Sequence, residues 1–305
     1  MPWVSYRNGN YRVAINTTNG TKIRETIDPD ATEFLPEFPE SMDINITQKC
    51  DGGCKFCYAD CTPDGVHASI MDVPFIDTLH SWTEVALQVN DLSHPDLVLF
   101  LEKLKARHVI ANITVNQKHF EKHMGFIKDL VWRNLIYGIG VSLVNPTQEF
   151  LSHVRQFPNA VVHVINGIVT ADDIEKMRDK NIKLLILGYK DIGRGSLWKQ
   201  KNEVSINARQ KYLYDVLPDL AKHFALVSFD NLALRQLDVR RILPEEKWRE
   251  IYMGDDGQFT FYVDMVHQRY GISSLCQPQD MHQGLLSDVR DMFNIVRNKA
   301  KQTNE

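Results

Sequence analysis

From residue 42 onward, short apolar runs alternate with longer helix-patterned ones, and this alternation restricts the fold more than any other feature of the chain. Candidate strands are Asp43–Thr47, Val85–Val89, Val109–Val115, Tyr137–Leu143, Ala160–Ile165, Lys183–Leu187, Ala225–Phe229 and Phe259–Asp264. Between the second and third, Pro95–Arg107 carries Leu97, Phe100, Leu101 and Leu104 at helical spacing. Thr170-Ala171-Asp172-Asp173 opens a helix over Thr170–Asp179, with an N-cap hydroxyl and acidic first-turn residues. Asn207–His223, Leu232–Met253 and Gln279–Lys299 supply later helices, and Pro244 is expected to split the middle one. Short apolar strands followed by helices imply a parallel sheet covered on both faces. The expectation is an α/β fold, a closed or nearly closed (β/α) barrel with its reactive groups at the C-terminal strand ends.

The first 40 residues read differently. Asn8-Gly9 and Asn19-Gly20 are turn signals between the β-prone runs Val4–Tyr6, Tyr11–Ile15 and Thr21–Thr26. They predict a small β-meander. Pro29, Pro36 and Pro39 mark a connector, so residues 1–40 are expected to be an extension and 41–305 the main domain.

The chain has 305 residues, 43% hydrophobic and 24% charged, as in a soluble globular protein. No apolar run approaches membrane-spanning length. The N-terminus lacks the basic segment and apolar core of a signal peptide. A net charge of −4 argues against a dedicated nucleic-acid-binding surface without excluding a local basic mouth. Five cysteines in a chain this long make no disulfide framework, and a reducing, cytoplasmic setting fits best.

Three of those cysteines, Cys50, Cys54 and Cys57, stand in one turn-forming stretch after the first main strand. Gly52 and Gly53 let the backbone bend so that three thiolates can converge. Three thiolates suit zinc or iron–sulfur chemistry. A structural zinc site wants a fourth Cys or His at close spacing, and a full iron–sulfur site takes four thiolates. Three leave one metal position open. A zinc knuckle or three buried cysteines is the plainer alternative.

The spacing C-x3-C-x2-C, with Phe56 before the last Cys and Tyr58 after it, resembles the radical S-adenosylmethionine (radical SAM) superfamily. Its other matching parts extend over about two-thirds of the chain. The resemblance implies a 4Fe–4S cluster on Cys50, Cys54 and Cys57, with SAM chelated by the open iron. It also implies a barrel of six to eight parallel strands. His94-Pro95-Asp96-Leu97 matches the family's His-Pro-x-Leu helix start, whereas Gln88-Val89-Asn90-Asp91 replaces its Gly-Gly-Glu-Pro-like segment. On this likeness Gln88, Val89 and Asn90 would meet the SAM amino group through their backbone. Thr114 and Asn116 resemble the family's Thr-x-Asn strand ending, though Asn116 reads equally as a helix N-cap. Ser142 would reach the SAM ribose or carboxylate, Ile165 and Gly167 would embrace the adenine, and Phe56 would pack against it. His163 reads more readily as a structural histidine than as a substrate contact.

Substrate candidates come from the remaining strand ends. Tyr189-Lys190 to Lys199 reads as a Gly-rich cationic loop, in which Lys190 and Arg194 suit a carboxylate or phosphate. Asp230 and Asp264 follow the seventh and eighth strands. Cys61 is a candidate bystander beside the cysteine loop. Cys276 is the one C-terminal cysteine, which argues against auxiliary clusters and leaves a hydrogen-atom donor as a minor alternative.

The resemblance implies reductive cleavage of SAM and hydrogen-atom abstraction from a small, anionic or amino-acid-derived substrate. The electrons would come from a one-electron reductase or a flavodoxin/ferredoxin-type donor. A nucleobase or nucleic-acid-attached group is the second expectation and a modified peptide the third. A non-catalytic iron–sulfur or zinc-binding module is the alternative from another class.

Overall fold

Eight parallel strands follow one another in the described part of the chain, residues 2–304 of a computed structural model. After three N-terminal strands, β1 (Trp3–Asn8), β2 (Tyr11–Asn16) and β3 (Lys22–Thr26), they are β4 (Ser41–Asn45), β5 (Glu84–Asn90), β6 (Ile110–Asn116), β7 (Gly138–Ser142), β8 (Ala160–Ile165), β9 (Lys183–Leu187), β10 (Leu226–Phe229) and β11 (Thr260–Asp264). Their spatial order is β10-β9-β8-β7-β6-β5-β4-β11. Each crossover up to β10 therefore steps to the adjacent position. β11 returns to the free side of β4, with Thr260 opposite Ser41 and Asp264 opposite Asn45. Two short antiparallel strands, β12 (Arg269–Gly271) and β13 (His282–Gln283), extend that edge to ten strands. β10 pairs with β9 alone among the described residues, so the sheet is open rather than a closed barrel.

The sheet nevertheless curls, because residues from all eight parallel strands line one cavity. Side chains alternate across a strand. In β5, Ala86, Gln88 and Asn90 face the cavity, while Val85, Leu87 and Val89 enter the outer core. Helix α1 (Leu97–Ala106) covers that outer face with Leu97, Phe100, Leu101 and Leu104, all fully buried as their spacing predicts. The other helices are α2 (Gln117–Lys122), α3 (Met124–Trp132), α4 (Gln148–Val154), α5 (Ala171–Met177), α6 (Arg194–Leu220), α7 (Asn231–Gln236), α8 (Glu245–Ile251) and α9 (Val289–Asn304). Helix α5 begins with the capping box of Thr170 and Asp173.

Several expected boundaries move. Helix α6 starts at Arg194, not Asn207, so the cationic segment 194–199 is helix rather than loop. A kink at Asn202 joins its two parts. The stretch 232–253 holds two short helices on either side of Pro244. The final helix starts at Val289, because residues 279–288 carry a helical turn and β13.

β1–β3 form a separate antiparallel sheet lying against the N-terminal ends of the parallel strands. Tyr6, Tyr11, Val13 and Ile15 pack there with Phe38, Ile110 and Phe259. Glu40, fully buried, accepts from Tyr11 Oη at 2.6 Å and pairs with Arg24 at 2.7 Å. Lys22 bridges Glu84 at the start of β5 at 2.7 Å, and Asn159 Nδ2 donates to Thr18 O. Ile15, Thr17 and Asn19 consequently close the floor of the cavity. No helix among the described residues is long and apolar enough to cross a membrane.

Candidate functional site

The cavity measures about 740 Å³, toward the upper end of the ~300–1,000 Å³ typical of ligand pockets. At the C-terminal strand ends the cysteine loop folds back over the sheet and lines the cavity. Backbone bonds from Ala68 to Ile46 O, from Gln48 to Val66 O and from Cys50 to Thr62 O tie the loop into a compact unit. Gly65 is required there, because an added Cβ would stand 2.2 Å from Gln48 O. Gly53 takes φ 68°, which turns the chain between Cys50 and Cys54.

Cys50, Cys54 and Cys57 all line the cavity. Burial raises the Cys50 and Cys54 thiols. A hydrogen bond from Cys61 lowers Cys57 to about 6 and raises Cys61 itself. Asn116 Nδ2 donates to Cys54 Sγ at 3.7 Å while its Oδ1 caps α2 by accepting from Lys118 N. The two roles foreseen for Asn116 are thus both filled. Among the described residues, no three His, Cys, Asp or Glu side chains gather tightly enough to hold a single metal ion. A multinuclear cluster asks for a wider spread, since each thiolate binds a different iron.

Cys61 is buried beside the cysteine loop, as its position in the sequence suggests. Its thiol lines the same cavity and meets Asn90 Nδ2 at 3.4 Å and Gln88 Nε2 at 3.8 Å. Asn90 also donates to Thr47 O and Lys49 O, and the Tyr58 hydroxyl donates to Gln88 Oε1 at 3.0 Å. The ladder between β5 and β6 shifts register between Gln88 and Asn90, and Asn90 adopts φ 52°. Asparagine is one of the few residues besides glycine to tolerate that left-handed conformation.

Phe56, Gln88, Asn90, Thr114, Asn116, Ser142, Ile165, Tyr189, Lys190 and Asp230 line the cavity, and four other candidates do not. Val89 points into the outer core, fully buried. Gly167, at φ 92°, lies against Ile206 and Gln210 of α6. Arg194 serves the cysteine loop: its guanidinium donates to Cys61 O at 2.7 Å and Cys54 O at 3.4 Å, and its backbone N–H to Asp60 Oδ1 at 2.8 Å. Asp264 is buried and saturated by Asn45 Nδ2, His267 Nδ1 and Arg269. Cys276 packs beside Gly271, while its neighbours Ser273, Ser274 and Leu275 reach the cavity.

One lining group, Asp43, was passed over by strand patterning. Asp43 projects from the middle of β4 into the cavity. Its surface is exposed, while the surrounding protein crowds the carboxyl and raises its pKa, with Lys190 opposing. The available signal was the alternation in β4, where Ser41, Asp43 and Asn45 share one register and the buried Met42 and Ile44 the other. Lys190 Nζ donates to Ser274 Oγ at 2.7 Å and lies 3.8 Å from the centroid of the Tyr58 ring. His163 reaches the cavity across Gly140, and burial lowers it to about 4, so it is a neutral imidazole at neutral pH.

No protein-family profile matches the chain, and no curated protein is recognisably similar to it.

Proposed function

We propose that the protein is a radical SAM enzyme with the open, curled form of that superfamily's barrel. The observation that carries this reading is the position of Cys50, Cys54 and Cys57. All three border one large cavity at the C-terminal edge of eight parallel strands. A 4Fe–4S cluster on these thiolates, with SAM at its open iron, would supply a strongly oxidising 5′-deoxyadenosyl radical on reduction.

The chain's own residues then bind, orient and exclude water. Arg194 holds the carbonyls of Cys54 and Cys61, which keeps the thiol-bearing turn in one shape. Phe56 offers an aromatic wall for adenine, and Ile165 an apolar one. Asn90 takes a left-handed conformation in the segment that stands where the family carries its Gly-Gly-Glu-Pro-like run. Thr114 and Ser142 supply hydroxyls at the ends of β6 and β7. The N-terminal sheet closes the floor of the cavity, which would shelter the reacting groups from bulk water. A reducing cytoplasm and a flavodoxin/ferredoxin-type or other one-electron donor complete the reading.

The test is anaerobic. Reconstituted protein is reduced with dithionite, given SAM, and assayed for 5′-deoxyadenosine beside Cys54→Ala. Wild type should release it and the variant should not. Bound zinc with no iron–sulfur absorbance would instead establish the binding-module alternative.

A further inference from the structure

Expectation from sequence put an anionic group of the substrate on Lys190 and Arg194. The structure withdraws Arg194 to the cysteine loop and leaves Lys190 hydrogen-bonded to Ser274 and stacked on Tyr58. Four carboxylates, Asp43, Glu84, Asp230 and Asp256, border the same cavity. Three of these have local work. Glu84 pairs with Lys22 at 2.7 Å. Asp230 Oδ1 accepts from Ala233 N at 2.7 Å, capping α7, and from Gly188 N at 2.9 Å. Asp256 accepts from Asn231 Nδ2 at 2.9 Å and faces Arg235 at 3.7 Å. Asp43 has no hydrogen-bond or ion-pair partner among the described residues, and Lys190 stays beyond salt-bridge distance from it. A cavity-lining carboxylate without a protein partner keeps its acceptor oxygens open to a ligand, and charge-assisted hydrogen bonds to a cation are the strong ones.

We propose that Asp43 is the recognition group for a positively charged nitrogen, so that the substrate is a protonated amine or guanidinium compound. This rests on the cavity being the substrate chamber of the enzyme proposed above, and it leaves Lys190 to meet a carboxylate if the substrate carries one. Asp43 sits on β4 and the cysteines on the loop beyond that strand's end, and both border the same cavity.

Isothermal titration of the full chain with cadaverine, L-lysine and glutarate tests this independently of turnover. Cadaverine and lysine should bind wild type and Cys54→Ala alike, and glutarate should not bind. Asp43→Asn should weaken cadaverine by about 10- to 100-fold, the range for a charge-assisted hydrogen bond. The same variant, reconstituted, should still bind SAM. Lys190→Met, which removes the opposing ammonium, should tighten cadaverine and serves as the second arm if Asp43→Asn does not fold. The proposal is overturned by any of these results: glutarate binding more tightly than cadaverine, unchanged affinity in Asp43→Asn, loss of SAM binding in that variant, or no binding of either cationic probe. Failure of SAM cleavage with cadaverine binding retained would count against the enzyme reading alone.

Discussion

At position 140 the chain has no side chain because His163 occupies the place of one. A Cβ on Gly140 would stand 2.2 Å from His163 Cε1. Gly140→Ala should therefore displace the imidazole into the cavity and cost about 1–3 kcal/mol in denaturant titrations, as overpacking does. The imidazole also links stability to pH. Its folded pKa, about 4, lies below the ordinary 6.5, so the unfolded chain binds the proton more readily between those values. The contribution is complete above pH 6.5 and is lost as pH falls toward 4. Its full size is about 3 kcal/mol at ~1.4 kcal/mol per pK unit, an upper figure for a group facing a wet cavity. His163→Gln should flatten the acid limb of a stability–pH profile over that window. An unchanged profile would show that another group dominates it. The sequence allowed His163 to face inward but could not show that Gly140 makes room for it, because the two residues meet only across neighbouring strands.

Elements depend on similar cross-chain ties. The cysteine loop has little regular structure, and Arg194, the first residue of α6, holds it through two backbone carbonyls. Arg194→Ala leaves both without their charged donor. Hydrogen exchange in residues 54–61 should accelerate by about one to two orders of magnitude, as expected for losing roughly 1–3 kcal/mol of charge-assisted bonding. Unchanged protection would mean that the backbone bonds of the loop suffice. In the N-terminal sheet, buried Glu40 accepts from Tyr11 and pairs with Arg24 and Lys22. Glu40→Ala strands Arg24 in a largely buried site, while Lys22 keeps Glu84, and should destabilise by about 3–5 kcal/mol in chemical unfolding. A loss under 1 kcal/mol would place those side chains in water.

For the whole molecule, the open sheet and its separate N-terminal floor make one chamber out of two units. Deleting residues 1–39 should uncover Ile110 and Phe259 at the base of the sheet, seen as dye binding to exposed apolar surface and a lower Tm. A deletion that melts like the full chain and binds no dye would show the floor to be dispensable. Most of this architecture was legible in sequence, since local patterning carries it. Strand periodicity, the α1 face, the Thr170 cap and the Asn-Gly turns each depend on residues within a few positions of one another. The cysteine spacing likewise placed three thiols after the first main strand. Tertiary structure alone decided the rest. Whether β10 meets β11, that Arg194 turns to the loop and not the ligand, that Asp264 is saturated, and that Asp43 stands unpaired beside Lys190 all depend on groups far apart in the chain. Local propensity is a short-range signal, whereas the pairing of charges across a curled sheet is set by which strands the fold makes neighbours.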